Sequence, residues 1–235
     1  MYAEFGGISM KKIIAVGVVA LMAMAFAAAK QTTGIALGVR GVFSYSAGSS
    51  VGDDFKDRWA AAIKSELGSQ ATSNVDTNGK LGGGFALFMR LPLGKRLGAQ
   101  FELDYTYNTI EYEETASMNG RSASVTQPAS FHTLSVPILL TFNIVQTNQF
   151  FLTPFGGIQI AEPVGEFDLD GTKGTIVTFA LFSFVVGASA TVNFGRFGLV
   201  GDIRYNIGVN SIKAGGLKVG TPRALQFSAG IQYML

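Results

Sequence analysis

The stretch Ala224–Leu235 alternates without interruption, with Phe227, Ala229, Ile231, Tyr233 and Leu235 on one parity and Gln226, Ser228, Gly230 and Gln232 on the other. Successive side chains of a strand leave opposite faces, so this segment has one apolar face and one polar face. A water-soluble sheet can hold one such strand against its core. A chain built almost entirely of them, with its charges on the parity opposite its large apolar residues, needs an apolar surrounding instead.

Seven further segments repeat the pattern. Ile35–Tyr45 turns Ile35, Leu37, Val39, Phe43 and Tyr45 outward and Arg40 inward, and Gly83–Leu91 turns Phe85, Leu87, Met89 and Leu91 outward and Arg90 inward. In the third, Phe101, Leu103, Tyr105 and Tyr107 alternate with Gln100, Glu102 and Asp104. Phe131–Phe142, the less regular Phe150–Ile160, Thr178–Asn193 and Gly198–Ile212 follow, the last with Leu199, Ile203, Tyr205 and Ile207 outward and Asp202, Arg204 and Asn206 inward. A soluble β-sandwich would turn its polar parity to solvent and its apolar parity to a shared core. Here the polar parity carries the charges and suits a narrow interior, while the apolar parity suits lipid. The expected fold is all-β, an eight-stranded antiparallel transmembrane up-and-down β-barrel.

Connection lengths set the expected orientation. Short turns follow the second, fourth and sixth strands, and longer connections span Ser46–Gly82, Asn108–Ser130, Ala161–Val177 and Lys213–Arg223. Membrane barrels of this type keep short turns in the periplasm and long loops outside, so both termini are expected to be periplasmic. The N-terminal region agrees with export. Lys11 and Lys12 precede an apolar run from Ile13 to Phe26, and Ala25-Phe26-Ala27 or Ala27-Ala28-Ala29 supplies a small-x-small cleavage pattern. Residues 1–29 are therefore read as an N-terminal extension with a cleaved secretory signal, starting at Met1 or Met10, and residues 30–235 as one barrel domain. Hydrophobic residues make up 48% of the chain and charged residues 14%, yet no run of 18 apolar residues follows the signal. Alternation, rather than helical spans, must carry that hydrophobicity. Cysteine is absent, which excludes a disulfide framework and a thiolate metal site. A net charge of +2 gives no support for a nucleic-acid partner.

Gln100-Phe101-Glu102-Leu103 with Tyr105, and Asp202-Ile203-Arg204-Tyr205-Asn206, resemble strands of the eight-stranded bacterial outer-membrane barrel superfamily, which includes the OmpA transmembrane domain, OmpX, OmpW and the opacity-type surface proteins. The resemblance covers nearly all of residues 30–235. The final strand, with Phe227, Ile231, Tyr233 and Leu235, is similar to the C-terminal assembly signal of such barrels, although that signal usually ends in Phe and this chain ends in Leu235. The implied partners are outer-membrane lipid and, during biogenesis, the barrel-assembly machinery.

Candidate chemistry begins with the inward charges. Arg40, Arg90 and Arg204 face Glu102, Asp104 and Asp202 across a lumen that eight strands make just wide enough for side chains to fill, and buried ions need partners. A neutral, plugging network is the expectation; the competing reading is a gate on a polar or hydrophobic pathway. In the first long loop, Phe55, Trp59, Ile63 and Leu67 recur every four residues behind Asp53-Asp54 and before Gly68, which predicts a short amphipathic helix lying on the barrel rim, on the outer leaflet or on another protein. Aromatics near strand ends, among them Tyr105, Tyr107, Phe194 and Tyr233, are expected to form interfacial girdles.

The run Glu111-Tyr112-Glu113-Glu114 lacks the spacing of a dedicated calcium loop. His132 is the one histidine, and Ser130 shares its parity without an identifiable orienting acid. No Lys-Ser/Thr follows Gly82–Gly84, so that triplet is not a phosphate loop. No catalytic, cofactor or metal residue is assigned, and no enzyme activity is expected. Two functions remain. The OmpW resemblance implies a narrow channel for small hydrophobic molecules; the opacity-type resemblance implies an adhesin contacting host surface molecules through its loops, over a plugged barrel.

Overall fold

The computed structural model describes residues 34–51, 72–119, 121–164, 166–169, 172–175, 180–214 and 217–235, with isolated positions 57, 60, 61, 64 and 65. Eight long strands form the wall: β1 (Ala36–Val51), β2 (Leu81–Pro92), β3 (Leu97–Met118), β4 (Arg121–Phe142), β5 (Phe150–Val164), β6 (Leu181–Phe194), β7 (Phe197–Gly208) and β8 (Leu217–Met234). Each pairs antiparallel with its neighbours in sequence, and β8 returns to β1 from Ala36 opposite Met234 to Val51 opposite Gly220. The sheet is therefore a closed eight-stranded up-and-down barrel. Closure leaves no edge along the wall, which is the condition for strands to cross a bilayer, where an unpaired backbone group has no water to bond.

Burial follows the parity of the sequence. On β2, Phe85 and Leu87 are exposed while Ala86 and Phe88 are buried; on β6, Phe182, Phe184 and Val186 are exposed while Ser183 and Val185 are buried. Exposure of large apolar groups around the circumference, from Val39 to Ile231, is the reverse of a soluble fold and is what a lipid-facing wall presents. Met89 departs from this pattern: although on the outward parity, it is covered, set in register between Leu37 and Phe101.

The short connections are tight turns. Leu93 and Gly94 donate their backbone N–H groups to the carbonyl of Leu97, the Thr147 hydroxyl accepts from the N–H of Phe150 at 2.9 Å, and Gly195 takes a φ of +66° between β6 and β7, where a side chain would be strained.

The longer connections contain more strand than the pattern predicts. Asn108–Ser130, expected as a loop, is a hairpin: β3 runs on to Met118 and β4 begins at Arg121, paired from Asn108 opposite Phe131 to Met118 opposite Arg121. The short strand Thr72–Gly79, within the first long connection, pairs with β3 from Ser117 to Ile110 and widens the hairpin into a three-stranded sheet. This sheet stands beyond the wall, since β2 leaves β3 at Tyr107 and β5 leaves β4 at His132. One parity of its β3 segment is polar throughout, Thr109, Glu111, Glu113, Thr115 and Ser117, and the other mixes Ile110, Tyr112, Ala116 and Met118 with Glu114, so its apolar contrast is weaker than that of the wall strands. Asn119, with φ of 53°, stands between the paired residues Met118 and Arg121, where the sequence reads Asn-Gly, a common hairpin dipeptide. The third connection likewise holds a two-stranded hairpin, Glu166–Leu169 with Thr172–Thr175, and in the fourth Ile212–Ala214 pairs with β8. All four apolar positions of the predicted loop helix, Phe55, Trp59, Ile63 and Leu67, lie outside the described residues.

Candidate functional site: the barrel interior

Strand parity sends one residue in two from each of eight strands into a narrow lumen, and the charged ones meet at mid-height. Arg40 on β1 donates through Nη1 to Asp202 Oδ2 at 2.5 Å and through Nη2 to Glu102 Oε2. Arg204 on β7 donates to both Glu102 oxygens, at 2.7 and 3.2 Å, and to Asp202 Oδ2 at 3.3 Å, with Asp104 Oδ2 3.5 Å away. Side chains of Arg40, Glu102 and Asp202 are wholly shielded from solvent. Five of the six predicted lumen charges are thus joined across the barrel, from β1 through β3 to β7. Such closure is what burial demands, because an unpaired ion here would cost several kcal/mol, on the order of 3–5 when one partner is removed.

Arg90 is placed differently. Instead of joining the carboxylates, its guanidinium donates to Gln100 Oε1, Thr191 Oγ1 at 3.0 Å and Ser189 Oγ at 2.9 Å, all neutral. Gln100 in turn donates to Glu102, so Arg90 is hydrogen-bonded to the ion-paired layer through an amide and not directly.

Two inward aromatics complete the layer, and neither was singled out from the sequence. The guanidinium carbons of Arg40 and Arg90 both lie 5.4 Å from the ring centre of Phe88, and that of Arg204 lies 5.5 Å from Phe155. Such contacts favour a cation over the ring face. Glycine makes the room. A Cβ on Gly38 would come within 2.2 Å of the Phe88 ring and 2.6 Å of the Ile231 carbonyl, and one on Gly187 within 2.6 Å of the Phe155 ring. Phe155 also packs with Leu139 and Val185 in a small buried apolar cluster. Phe88 was legible by parity, falling between Ala86 and Arg90 on the inward side of β2; Phe155 sits in the least regular segment.

Below and above this layer the lumen opens into two cavities. Toward the long connections, about 60 Å³ is lined by the neutral polar residues Thr106, Asn108, Gln159 and Asn206, by Arg223, and by Ile110, Phe131 and Leu181, among others. Toward the short turns, about 270 Å³ is lined by Arg90, Lys95, Thr191, Asn193 and Gln232 among others.

The outer surface accounts for the remaining candidates. His132 faces outward, its ring 5.6 Å from that of Tyr105 and 5.1 Å from that of Tyr107, and its Nδ1 shares a 2.7 Å hydrogen bond with the Tyr105 hydroxyl. Ser130 is engaged elsewhere, its hydroxyl 3.2 Å from that of Thr109. The pair is part of an aromatic cluster with Phe85, whose ring lies 5.4 Å from Tyr105, and forms no nucleophile and base arrangement. At the opposite end, Phe197 meets Tyr233 edge-on at 5.1 Å. Phe227, Ile231 and Leu235 of the terminal strand are exposed on the outer face. The acidic run lies in the projecting sheet, where Glu111 pairs with Lys80 at 2.9 Å and Glu113 accepts from Asn78 at 3.2 Å. Among the described residues no cluster of three or more metal-ligating side chains occurs.

Residues 28–214 match the family model of the outer membrane protein beta-barrel domain. No curated protein matches the chain. Among solved structures, the Neisserial surface protein A superposes with a TM-score of 0.51 at 13% identity, covering 86% of this chain and 98% of that one. The outer membrane protein OprG from Pseudomonas aeruginosa gives 0.48 at 11% identity, covering 86% and 96%. The attachment invasion locus protein Ail of Yersinia pestis gives 0.44 at 14% identity, covering 87% and 100%.

Proposed function

The chain belongs to the outer membrane protein β-barrel family, and from that premise we propose that it is a surface-recognition protein whose plugged barrel anchors a binding sheet outside the cell. One observation carries the reading: the mid-lumen is occupied by a fully buried ion-paired layer, whereas the three-stranded sheet of Thr72–Gly79, β3 and β4 is paired beyond the last register of the wall. Short turns belong to the periplasmic end of such barrels, which puts both termini in the periplasm and the projecting sheet outside. The partner is then a macromolecule of the cell exterior, such as a host surface molecule. The aromatic cluster of Tyr105, Tyr107 and His132, at the foot of the sheet, sits where an interfacial girdle holds the barrel at a fixed height.

The test replaces residues 110–129 by a two-residue turn and compares binding of bacteria displaying either form to host cells and matrix proteins. Loss of binding with retained heat-modifiable folding supports the reading; unchanged binding refutes it. A second reading, passage of small hydrophobic molecules, draws on Ile110, Phe131 and Leu181 in the upper cavity, which give that compartment an apolar share. It requires a way around the ion-paired layer. Uptake that follows substitutions of Phe131 and Leu181 but ignores the projecting sheet would favour it.

A further inference from the structure

We propose that the cavity at the short-turn end binds a small oxyanion, phosphate or carboxylate, with Arg90 at its floor. Arg40 and Arg204 have both spent their guanidinium groups on carboxylates. Arg90 has not. Its hydrogen bonds go to Gln100, Thr191 and Ser189, which use three of the five N–H donors of a guanidinium and leave two for an incoming acceptor. The cavity of about 270 Å³ that Arg90 lines also receives Lys95, and no Asp or Glu side chain lines it. That volume admits a hydrated phosphate with room to spare.

The surroundings reinforce the sign of the charge. The three short turns, 92–97, 143–149 and 194–197, contain Lys95, Arg96 and Arg196 and no acidic residue. A cleft of one sign with low-dielectric walls concentrates counter-ions, and a planar guanidinium with two free donors matches the two oxygens of a carboxylate or phosphate. Thr191, Asn193 and Gln232 supply further side-chain donors around the wall. Neutral partners make all of Arg90's hydrogen bonds, and the carboxylate of Glu102 lies beyond Gln100 rather than in contact with it, so the two remaining donors stay open. Placing this mouth in the periplasm rests on the orientation proposed above; the binding itself does not.

The experiment titrates inorganic phosphate into the full barrel purified from membranes in zwitterionic detergent, followed by calorimetry and by 31P line broadening. Saturable millimolar binding is expected, weakened roughly tenfold or more by Arg90→Gln, by a smaller factor in Lys95→Gln/Arg96→Gln, and unaffected by Lys80→Gln at the far end. Arg90→Lys, which keeps the charge, should retain part of the affinity and guards against loss of folding in Arg90→Gln. In a second arm, displacement of a spin-labelled phosphatidylglycerol by phosphate would identify the source as a lipid headgroup, and saturable phosphate binding without displacement would identify a free solute. No saturable binding in the unmodified barrel, or equal binding in the Arg90 and Lys95/Arg96 variants, would overturn the proposal.

Discussion

Glu102→Gln should be among the most damaging isosteric changes in this barrel. The two Glu102 oxygens accept four hydrogen bonds, from Arg40, from Gln100 and two from Arg204. Glutamine has the same shape, but one of its two terminal atoms is an NH2 group that can only donate. Whichever way the amide is turned, it points N–H groups at a donor from Arg204 and at a second donor, from Gln100 or Arg40. Two bonds to a charged acceptor are therefore lost, each worth about 1.5–3 kcal/mol. The charge change adds to this, because Arg40 and Arg204 are left sharing Asp202 and Asp104. The range for breaking a buried pair is about 3–5 kcal/mol, and the two estimates agree. The assay is reversible urea unfolding of the refolded barrel in lipid vesicles, read by far-ultraviolet circular dichroism and by the heat-modifiable gel shift. Shielded from solvent, the effect should hardly change between low salt and about 0.5 M salt, since screening acts on exposed charges. A loss below about 1 kcal/mol, or one that salt abolishes, would show that the network is wet and loosely held, and the reasoning would fail.

Replacing the whole group is expected to be far gentler than breaking it: an Arg40→Met/Glu102→Leu/Asp202→Leu/Arg204→Met variant should lose less stability than Glu102→Gln, as measured by the same unfolding. Gly38→Ala should cost about 1–3 kcal/mol, because its methyl group collides with the Phe88 ring and with a neighbouring carbonyl, and the readout is again the unfolding midpoint. Val186→Arg, on the exposed face of β6, should cost about 2–4 kcal/mol in vesicles if that position lies at the bilayer midplane, with a smaller effect in detergent, where the head can reach water. Shortening the β3–β4 hairpin beyond Ile110 should leave folding yield unchanged, since the wall pairings end at Tyr107 and His132.

Much of this architecture is written in parity. Once Leu37, Val39 and Phe43 are assigned to lipid, Arg40 must point inward, and the same step sends Glu102, Asp104, Asp202 and Arg204 to meet it. Which of these charges touch is decided by the stagger of the strands around the barrel, which no single segment encodes. Hence the neutral partners of Arg90 were not foreseen: Ser189 and Thr191 come from β6, about 100 residues away in sequence. Phe88 was hidden for another reason, since an aromatic in a lipid-rich pattern reads as outward unless its parity is followed strictly. The projecting sheet escaped because its apolar positions on β3, Ile110, Tyr112, Ala116 and Met118, are few, interrupted by Glu114 and set among Thr, Ser and Glu, so the stretch reads as a polar loop. Asn119-Gly120 marks the reversal, but the same dipeptide at Asn78-Gly79 closes a strand that pairs elsewhere, so it does not single out the hairpin by itself.

Single-channel recording of the folded barrel in planar bilayers tests the closed lumen most directly. The ion-paired layer predicts a silent bilayer despite correct insertion, with discrete steps appearing only when Arg40, Glu102, Asp202 and Arg204 are together replaced by alanine. Steady unitary conductance from the unmodified barrel, sensitive to Glu102, would contradict the account and make the interior a pore.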